Sequence, residues 1–382
     1  MLNQITGLLD RGHSVSIFAE RVSLDTEEHP EVEQRGLRCL TRHESLPDSP
    51  LDRLRRMPWN WREARTYLRA LNAFRFGGTA LSLRLIWSVG LVDGDSDFDI
   101  VQCHFGALGR KAALLRRVGA LRGKIVTAFH GEDIVNYPRR FGGNVYAPLF
   151  ATGDLFLPIS DRWNTELVAL GCPPHRIHVH RMGIELDRFP PRSTASLDTR
   201  LRIITVARLV EKKGIADGIR AVARLGSNVE YVVVGDGPLR AELEAVARTC
   251  GIADRVRFAG PLPRTRVVEL LREATVFLAP SVTASDGDIE GLPVSIMEAM
   301  AVGLPIVTTR HGAIDELVEH GVSGWLVAER DVSGLAERLA HLVDDPGAGV
   351  RLGIAGRARI AQEFDAAKLV ERLEALYGSL LA

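Results

Sequence analysis

The run DIEGLPVSIMEAMAVGLPIVTT, residues 288–309, sets two glutamates, Glu290 and Glu298, eight positions apart across a short apolar stretch. Before it, TVFLAPS reads as a strand and VTASDGDIEGLP as a loop rich in Gly and Asp, while Pro293 suits the first turn of a helix over VSIMEAMAVG. Glu290 then lies in the loop and Glu298 in the helix, roughly 12 Å apart. Two carboxylates so placed could touch opposite ends of one elongated ligand. Gly291 permits close backbone approach, and the free amides of a first helical turn favour phosphate oxygens or sugar hydroxyls. Taken alone, the pair reads as a solvated helix face plus a loop acid, and only its context reverses that.

A second constellation is VARLVEKKG (206–214), which leaves a strand and carries Arg208 and Lys213 five positions apart. Two cations there would neutralise a diphosphate leaving group, the guanidinium as a fork and the ammonium as a point charge. Lys212 reads as ordinary surface charge. VVVGDGPLR (232–240) adds a glycine-rich strand-to-helix turn but lacks the third glycine of a dinucleotide fingerprint, which argues against an oxidoreductase. GALGRKAALL (106–115) lacks the Gly-Lys-Ser/Thr ending of a phosphate loop. His178 and His180 alternate along a strand with no third ligand nearby, so no metal site is expected.

These residues need elements to hold them. In the second half, LRIITVA (201–207), VEYVVVG (229–235), RVRFAG, TVFLAPS and LPIVTT read as strands. Between them GIADGIRAVARL (214–225), LRAELEAVARTCG, RTRVVELLREA and VSIMEAMAVG have helical spacing, the signature of a parallel sheet wrapped by helices. The first half repeats the pattern less tidily, with strands at SVSIFAE (14–20), FDIVQCHF (98–105) and KIVTAFH (124–130). A Pro-, Ser- and Thr-rich connection, RFPPRSTASLDTR (188–200), separates the halves, and FDAAKLVERLEALYGSLL (364–381) is an amphipathic helix. The expected class is α/β, with two Rossmann-like domains, 1–190 and 191–363, facing a cleft, and a helix over 364–382 packing back on the first.

Composition narrows the rest. Forty-eight basic residues balance forty-eight acidic ones in 382, so no global charge draws the chain to nucleic acid. Four scattered cysteines fit neither a disulfide framework nor a zinc pattern, and a reducing cytoplasm is the simplest compartment. No apolar run reaches the roughly 18 residues of a spanning helix, and no signal peptide is evident. Local charge is less even. Residues 53–92 carry eight arginines against one acid, Glu63, interspersed with Trp59, Trp61 and Trp87. That composition suits either a solvated basic face or an anionic membrane surface, placing the protein at most peripherally at the membrane's inner face.

Four segments, VARLVEKKG, VGDGP, APSVTASDGDIEGLPVSIMEAMAVGLPIV and HGAIDELVEHGVSGWLV, together resemble glycosyltransferase family 4, the retaining enzymes of GT-B fold. The run DGDIEGLPVSIMEAMA is further similar to the branch that builds exopolysaccharide and colanic-acid-like repeat units. The resemblance implies that Glu290 contacts the donor sugar, Glu298 the ribose hydroxyls, and Arg208 and Lys213 the diphosphate, with backbone amides around Gly291 and Leu292 holding oxygens. TAFHGEDI (127–134) resembles the segment whose histidine reaches the transferred sugar, which makes His130 a catalytic candidate beside Arg208, Lys213 and Glu290. His104, in VQCHFG, reads as packing only.

The same resemblance implies a nucleotide-diphosphate sugar as donor, no metal or other cofactor, and a saccharide or polyprenyl-diphosphate-linked saccharide as acceptor. The transfer keeps the sugar on the same face, and replacing Lys213 should harm turnover far more than folding. One departure is that MLNQITGLLDRGHSVSIFAE begins inside the family's first helix, so the first strand is apparently missing. Roughly 15 to 20 upstream residues, a strand plus a loop, are expected to belong to the native protein. Two alternatives stay open: a catalytically silent nucleotide-sugar-binding protein, and a GT-B sugar-nucleotide epimerase.

Overall fold

β-branched runs buried on both faces build the C-terminal half. The computed structural model describes residues 1–19, 30–43, 46–57, 59–92, 94, 96–193 and 200–382. Among them β1 (Ile17–Ala19) and β2 (Thr41–His43) pair in parallel, and β3 (Asp97–His104), β4 (Arg122–Phe129) and β5 (Leu155–Pro158) form a second parallel sheet in that order. The next six strands are β6 (Leu201–Val206), β7 (Val229–Val234), β8 (Val256–Gly260), β9 (Val276–Ala279), β10 (Ile306–Thr309) and β11 (Gly324–Val327). They make one parallel sheet ordered β11-β10-β9-β6-β7-β8. Ile203, Tyr231, Val233, Val276 and Val307 point to one core and Ile204, Val232, Phe277 and Ile306 to another. Such two-sided burial explains why these strands read as continuous apolar runs.

The order of that sheet locates a site. From β6 the chain winds outward through β7 and β8, then returns to the other side of β6 and winds through β9, β10 and β11. The crevice beyond the carboxyl ends of β6 and β9 is therefore the topological switch point, where ligands bind in open α/β sheets. Both cation-bearing and carboxylate-bearing loops leave from those two strands.

The strands and helices expected in the C-terminal half are present, with α-helices at Ile215–Ala223, Arg240–Thr249, Arg264–Glu273 and Val294–Ala301. β2, β5 and β11, each three or four residues long, were not anticipated, although β1, β9 and β10, no longer than these, were. In the N-terminal half β1 and β3 lie in separate sheets among the described residues, with Phe18 meeting Phe98 edge-on at 5.9 Å. Glu20, the end of the first expected strand, and residues 194–199 of the expected connection lie outside the described residues.

Several contacts join the two halves. Glu316, ending the turn Ile314–Glu316, accepts from the amides of Asp161 and Arg162, each at 2.9 Å. These amides open the helix Asp161–Ala169, so the carboxylate satisfies orphan donors at its positive end. Arg181 bridges Asp161 at 2.8 Å and Glu316 at 3.3 Å. Arg357 donates to the Phe189 carbonyl at 2.8 Å, while Arg192 donates to that of Ala274 at 2.8 Å within the second half. The final helix, Ala366–Leu381, is capped by Asp365 and lays Leu373 and Tyr377 on Val126, Ala128 and Leu157 of the N-terminal sheet.

Candidate active site

Beyond β6 the chain turns through Arg208 into a tight turn at Glu211–Lys213. Lys213 Nζ comes to 2.9 Å from Glu290 Oε1, with the two side chains 16% and 7% exposed. A carboxylate so deep in protein needs a cation beside it. The approach is that of an ion pair: Glu290 Oε1 receives no aligned hydrogen bond, so it keeps acceptor capacity for a hydroxyl.

The backbone beneath Glu290 is fixed independently. Its amide donates to His311 Nε2 at 3.0 Å, and His311 Nδ1 meets Glu329 Oε1 at 2.7 Å. Since Nε2 accepts, the proton of this imidazole resides on Nδ1 and goes to Glu329. The other oxygen of Glu329 takes the Thr283 amide at 2.8 Å. Burial pushes the Glu329 carboxyl up, but bonds from Thr283 and His311 outweigh it and hold the group below its usual range. Gly312 has φ 60° and packs against the Glu290 carbonyl where a Cβ would collide, so only glycine serves there.

Lys212 is not the plain surface charge expected of it. Its ammonium lies 2.9 Å from Asp288 Oδ2, and its carbonyl accepts from Val282 at 2.9 Å. It ties the loop after β9 to the loop after β6. Sequence spacing showed none of this, because neighbouring lysines look alike until strand register points them at partners.

Glu290 and Glu298 occupy loop and helix respectively, as their spacing implies. The helix Val294–Ala301 has no side-chain N-cap, and no backbone carbonyl accepts from the amides of Gly291 or Leu292 among the described residues. The Leu292 side chain is buried in the core, leaving its amide as the group it can offer. Glu298 Oε1 is 3.6 Å from Arg264; burial raises its carboxyl above the ordinary range, with Arg264 opposing. Arg208 is exposed, and among the described residues its guanidinium has no ion-pair or hydrogen-bond partner. A pocket between the ends of β6 and β9 is lined by Thr205, Ala207, Lys213, Ser281 and Ser295.

From the other half, β4 ends at Phe129 and His130 follows it. Asp133 accepts from the amides of His130 at 2.9 Å, Gly131 at 3.0 Å and Gly106 at 2.9 Å, holding two strand ends together. An acid at the start of a helix, as in HGED, was the available sign of this role. His104, read as packing only, places Nδ1 3.2 Å from His130 Nε2. Burial lowers His130 to about 4 and His104 to about 3, so both rings are neutral at pH 7.

The two halves meet at Gly291. A Cβ there would lie 3.1 Å from the His130 carbonyl oxygen and 3.4 Å from Ile159 Cδ1. The fold thus gathers His130, Lys213, Glu290 and the amides of Gly291 and Leu292, with Glu298 one turn further along and Arg208 on the exposed lip. His180 lies near enough to His104 to act on it, but no three His, Cys, Asp or Glu side chains group as metal ligands among the described residues. One buried carboxylate, two cations and a row of free amides can bind an anion bonded to a polyhydroxyl group.

Known proteins resemble this chain in sequence and in architecture. Residues 189–359 match the family described as glycosyl transferases group 1, and residues 1–188 match glycosyltransferase family 4. The chain is 40% identical to the putative colanic acid biosynthesis glycosyltransferase WcaL of Salmonella typhimurium, covering 98% of this chain and 95% of that one. It is 37% identical to the amylovoran biosynthesis glycosyltransferase AmsK of Erwinia amylovora, covering 98% and 96%. Among solved structures, Anabaena Alr3699/HepE in complex with UDP and glucose superposes with a TM-score of 0.67 at 21% identity, covering 80% of this chain and 83% of that one.

The Lys213–Glu290 pair changes what a Lys213 substitution should do. Lys213→Met strands a buried carboxylate and should cost on the order of 3 kcal/mol, so folding as well as turnover suffers. Adding Glu290→Gln should restore most of that loss. Denaturant unfolding of the single and double variants checks this; equal stabilities would mean that the pair contributes nothing to folding.

Proposed function

The chain belongs to the glycosyltransferases, with a family 4 N-terminal half, a group 1 C-terminal half and the GT-B fold, and from that premise we propose that it carries out retaining transfer from a nucleotide-diphosphate sugar to a saccharide acceptor in exopolysaccharide assembly. The observation that carries this is the Lys213–Glu290 pair, whose carboxylate oxygen is buried, ion-paired and without an aligned hydrogen bond. An ammonium and an acceptor side by side match the junction of a sugar and its diphosphate. The named roles of the WcaL and AmsK relatives support the pathway, and UDP with glucose in the Anabaena structure supports a nucleotide sugar.

In this reading Glu298 accepts from the ribose hydroxyls, Arg208 and Lys213 neutralise the diphosphate, and Glu290 Oε1 accepts from a sugar hydroxyl. The amides of Gly291 and Leu292 donate to sugar or phosphate oxygens, and His130 approaches the sugar from the opposite half. The bond from the anomeric carbon to the diphosphate oxygen breaks while the acceptor oxygen attaches on the same face. The acceptor's hydroxyl proton passes to the departing diphosphate, whose charge the two cations hold. A retaining glycosidase instead needs a second carboxylate about 5 to 5.5 Å away as nucleophile. Asp133, the buried carboxylate nearest in sequence to His130, is occupied by three amides.

A panel of UDP, GDP and ADP sugars tests the assignment by thermal unfolding. A donor at 100 times its dissociation constant should stabilise by about 2.7 kcal/mol, and Glu298→Ala should abolish the gain. The same donor with a saccharide acceptor should give a product of unchanged anomeric configuration. Binding without any product would favour the silent binding protein, an isomerised sugar nucleotide without acceptor would favour the epimerase, and no shift with any sugar would refute the donor site.

A peripheral membrane role has its own support. Trp61 is 82% exposed, and Leu54, Leu68, Phe74 and Leu81 also face outward among exposed Arg55, Arg56, Arg65, Arg69, Arg75 and Arg84. Not all of the basic run is available. Arg53 is buried, donating to the carbonyls of Pro47, Asp48 and Ser82, and the Trp87 indole donates to Arg53. Among the described residues no helix is long and apolar enough to cross a membrane. Surface arginines contribute about 1 kcal/mol each on an anionic leaflet, which would bring the enzyme to a polyprenyl-diphosphate-linked acceptor. The chain should float with vesicles containing phosphatidylglycerol and not with phosphatidylcholine alone, and Trp61→Glu with Phe74→Glu should release it; no flotation on anionic vesicles would remove this reading.

A further inference from the structure

His104 and His130 stand edge to edge at the ends of β3 and β4, ring planes 27° apart and centroids 5.4 Å apart. With both rings neutral, a single proton lies between His104 Nδ1 and His130 Nε2, 3.2 Å apart. Which ring owns it is decided from outside the pair.

The decision starts at Tyr377, on the final helix. Its side chain is buried, and its hydroxyl meets the Gln102 carboxamide oxygen, its acceptor among the described residues. A buried phenol that finds one acceptor donates to it, since an unspent donor would cost about 1–3 kcal/mol. The carboxamide of Gln102 is thereby oriented, oxygen toward Tyr377 and nitrogen away. That nitrogen has two protons, and two acceptors lie within reach: Gln4 Oε1 at 3.0 Å and His104 Nε2 at 3.2 Å. His104 Nε2 therefore accepts, and a neutral imidazole that accepts at one nitrogen carries its proton on the other. His104 Nδ1–H donates to His130 Nε2, and His130 must keep its own proton on Nδ1.

We infer that Tyr377, Gln102 and His104 form a proton-ordering relay that holds His130 in the Nδ1–H form, with His104 as a positioning residue. His130 then presents a hydrogen-bond donor, not a base, because its basic nitrogen is already filled. Its Nδ1–H has no protein acceptor among the described residues. The chemical class that meets such a donor is a hydroxyl or ring oxygen of the transferred sugar. The role at the sugar rests on the transfer reading above; the tautomer does not.

Nitrogen NMR of the full chain carrying isotope-labelled histidine reads the relay directly. The wild type should show His130 protonated at Nδ1. His104→Asn keeps an amide donor where Nδ1 stood and should retain that form, whereas His104→Gln moves the amide to the Nε2 position and should release His130 to the Nε2–H form. With UDP-glucose and GDP-mannose as probes, His104→Gln should raise the donor KM about tenfold, the worth of one lost hydrogen bond, and His104→Asn should stay close to wild type. An Nε2–H signal in the wild type, or identical spectra in the two variants, would overturn the relay. A tautomer change with unaltered KM would overturn the positioning role. The expected tautomers with no turnover of either sugar would support the relay and count against the transfer reading. Should both His104 variants unfold, Tyr377→Phe frees Gln102 to rotate and should give mixed His130 tautomers; an unchanged single signal would refute the relay.

Discussion

Everything in the candidate site is arranged around burying one carboxylate. Glu290 sits almost wholly inside the protein, and Lys213 is the cation that makes the burial tolerable. Because the two come from loops after different strands, their meeting requires β6 and β9 to be neighbours, which the reversal of strand order provides. His311 fixes the Glu290 amide, Glu329 fixes His311, and Thr283 fixes Glu329. Lys212 and Asp288 close the same loop from its other side. The carboxylate is consequently held in one orientation before any ligand arrives, which is where preorganised electrostatics gains its effect.

The second constraint is the junction between halves. Gly291 lies against the His130 carbonyl with only the room that a missing side chain leaves. Glu316, capping a helix of the opposite half, and Arg181, bridging Asp161 and Glu316, keep that junction closed. A ligand on the C-terminal strand ends would thereby face N-terminal groups whose protonation is ordered from the final helix through Tyr377. The final helix contributes to both tasks, covering the N-terminal sheet and supplying Tyr377.

Much of this was legible in the sequence, and what was missed shares a cause. Continuous apolar strands announced the parallel sheet, and Pro293 together with the spacing of Glu290 and Glu298 located loop and helix. Of the residues placed by resemblance, Gly291 lies against the His130 carbonyl where the two halves meet, and Lys213 pairs with Glu290. Pairings across the fold were not legible: Lys212 looked like surface charge and His104 like packing, because a side chain's partner depends on strand register and loop path. Asp133 and His311 lay inside stretches singled out for other reasons, yet their work is to hold backbone amides, which leaves no spacing signature.

The central claim is that the ends of β6 and β9 hold a nucleotide sugar by its diphosphate and ribose. A crystal structure of the full chain with the sugar nucleotide that shifts its unfolding would test it most directly. The account predicts the diphosphate within hydrogen-bond reach of Arg208 and Lys213, the ribose hydroxyls on Glu298, and a sugar hydroxyl on Glu290. A nucleotide bound elsewhere, with the Lys213–Glu290 pair untouched, would contradict it.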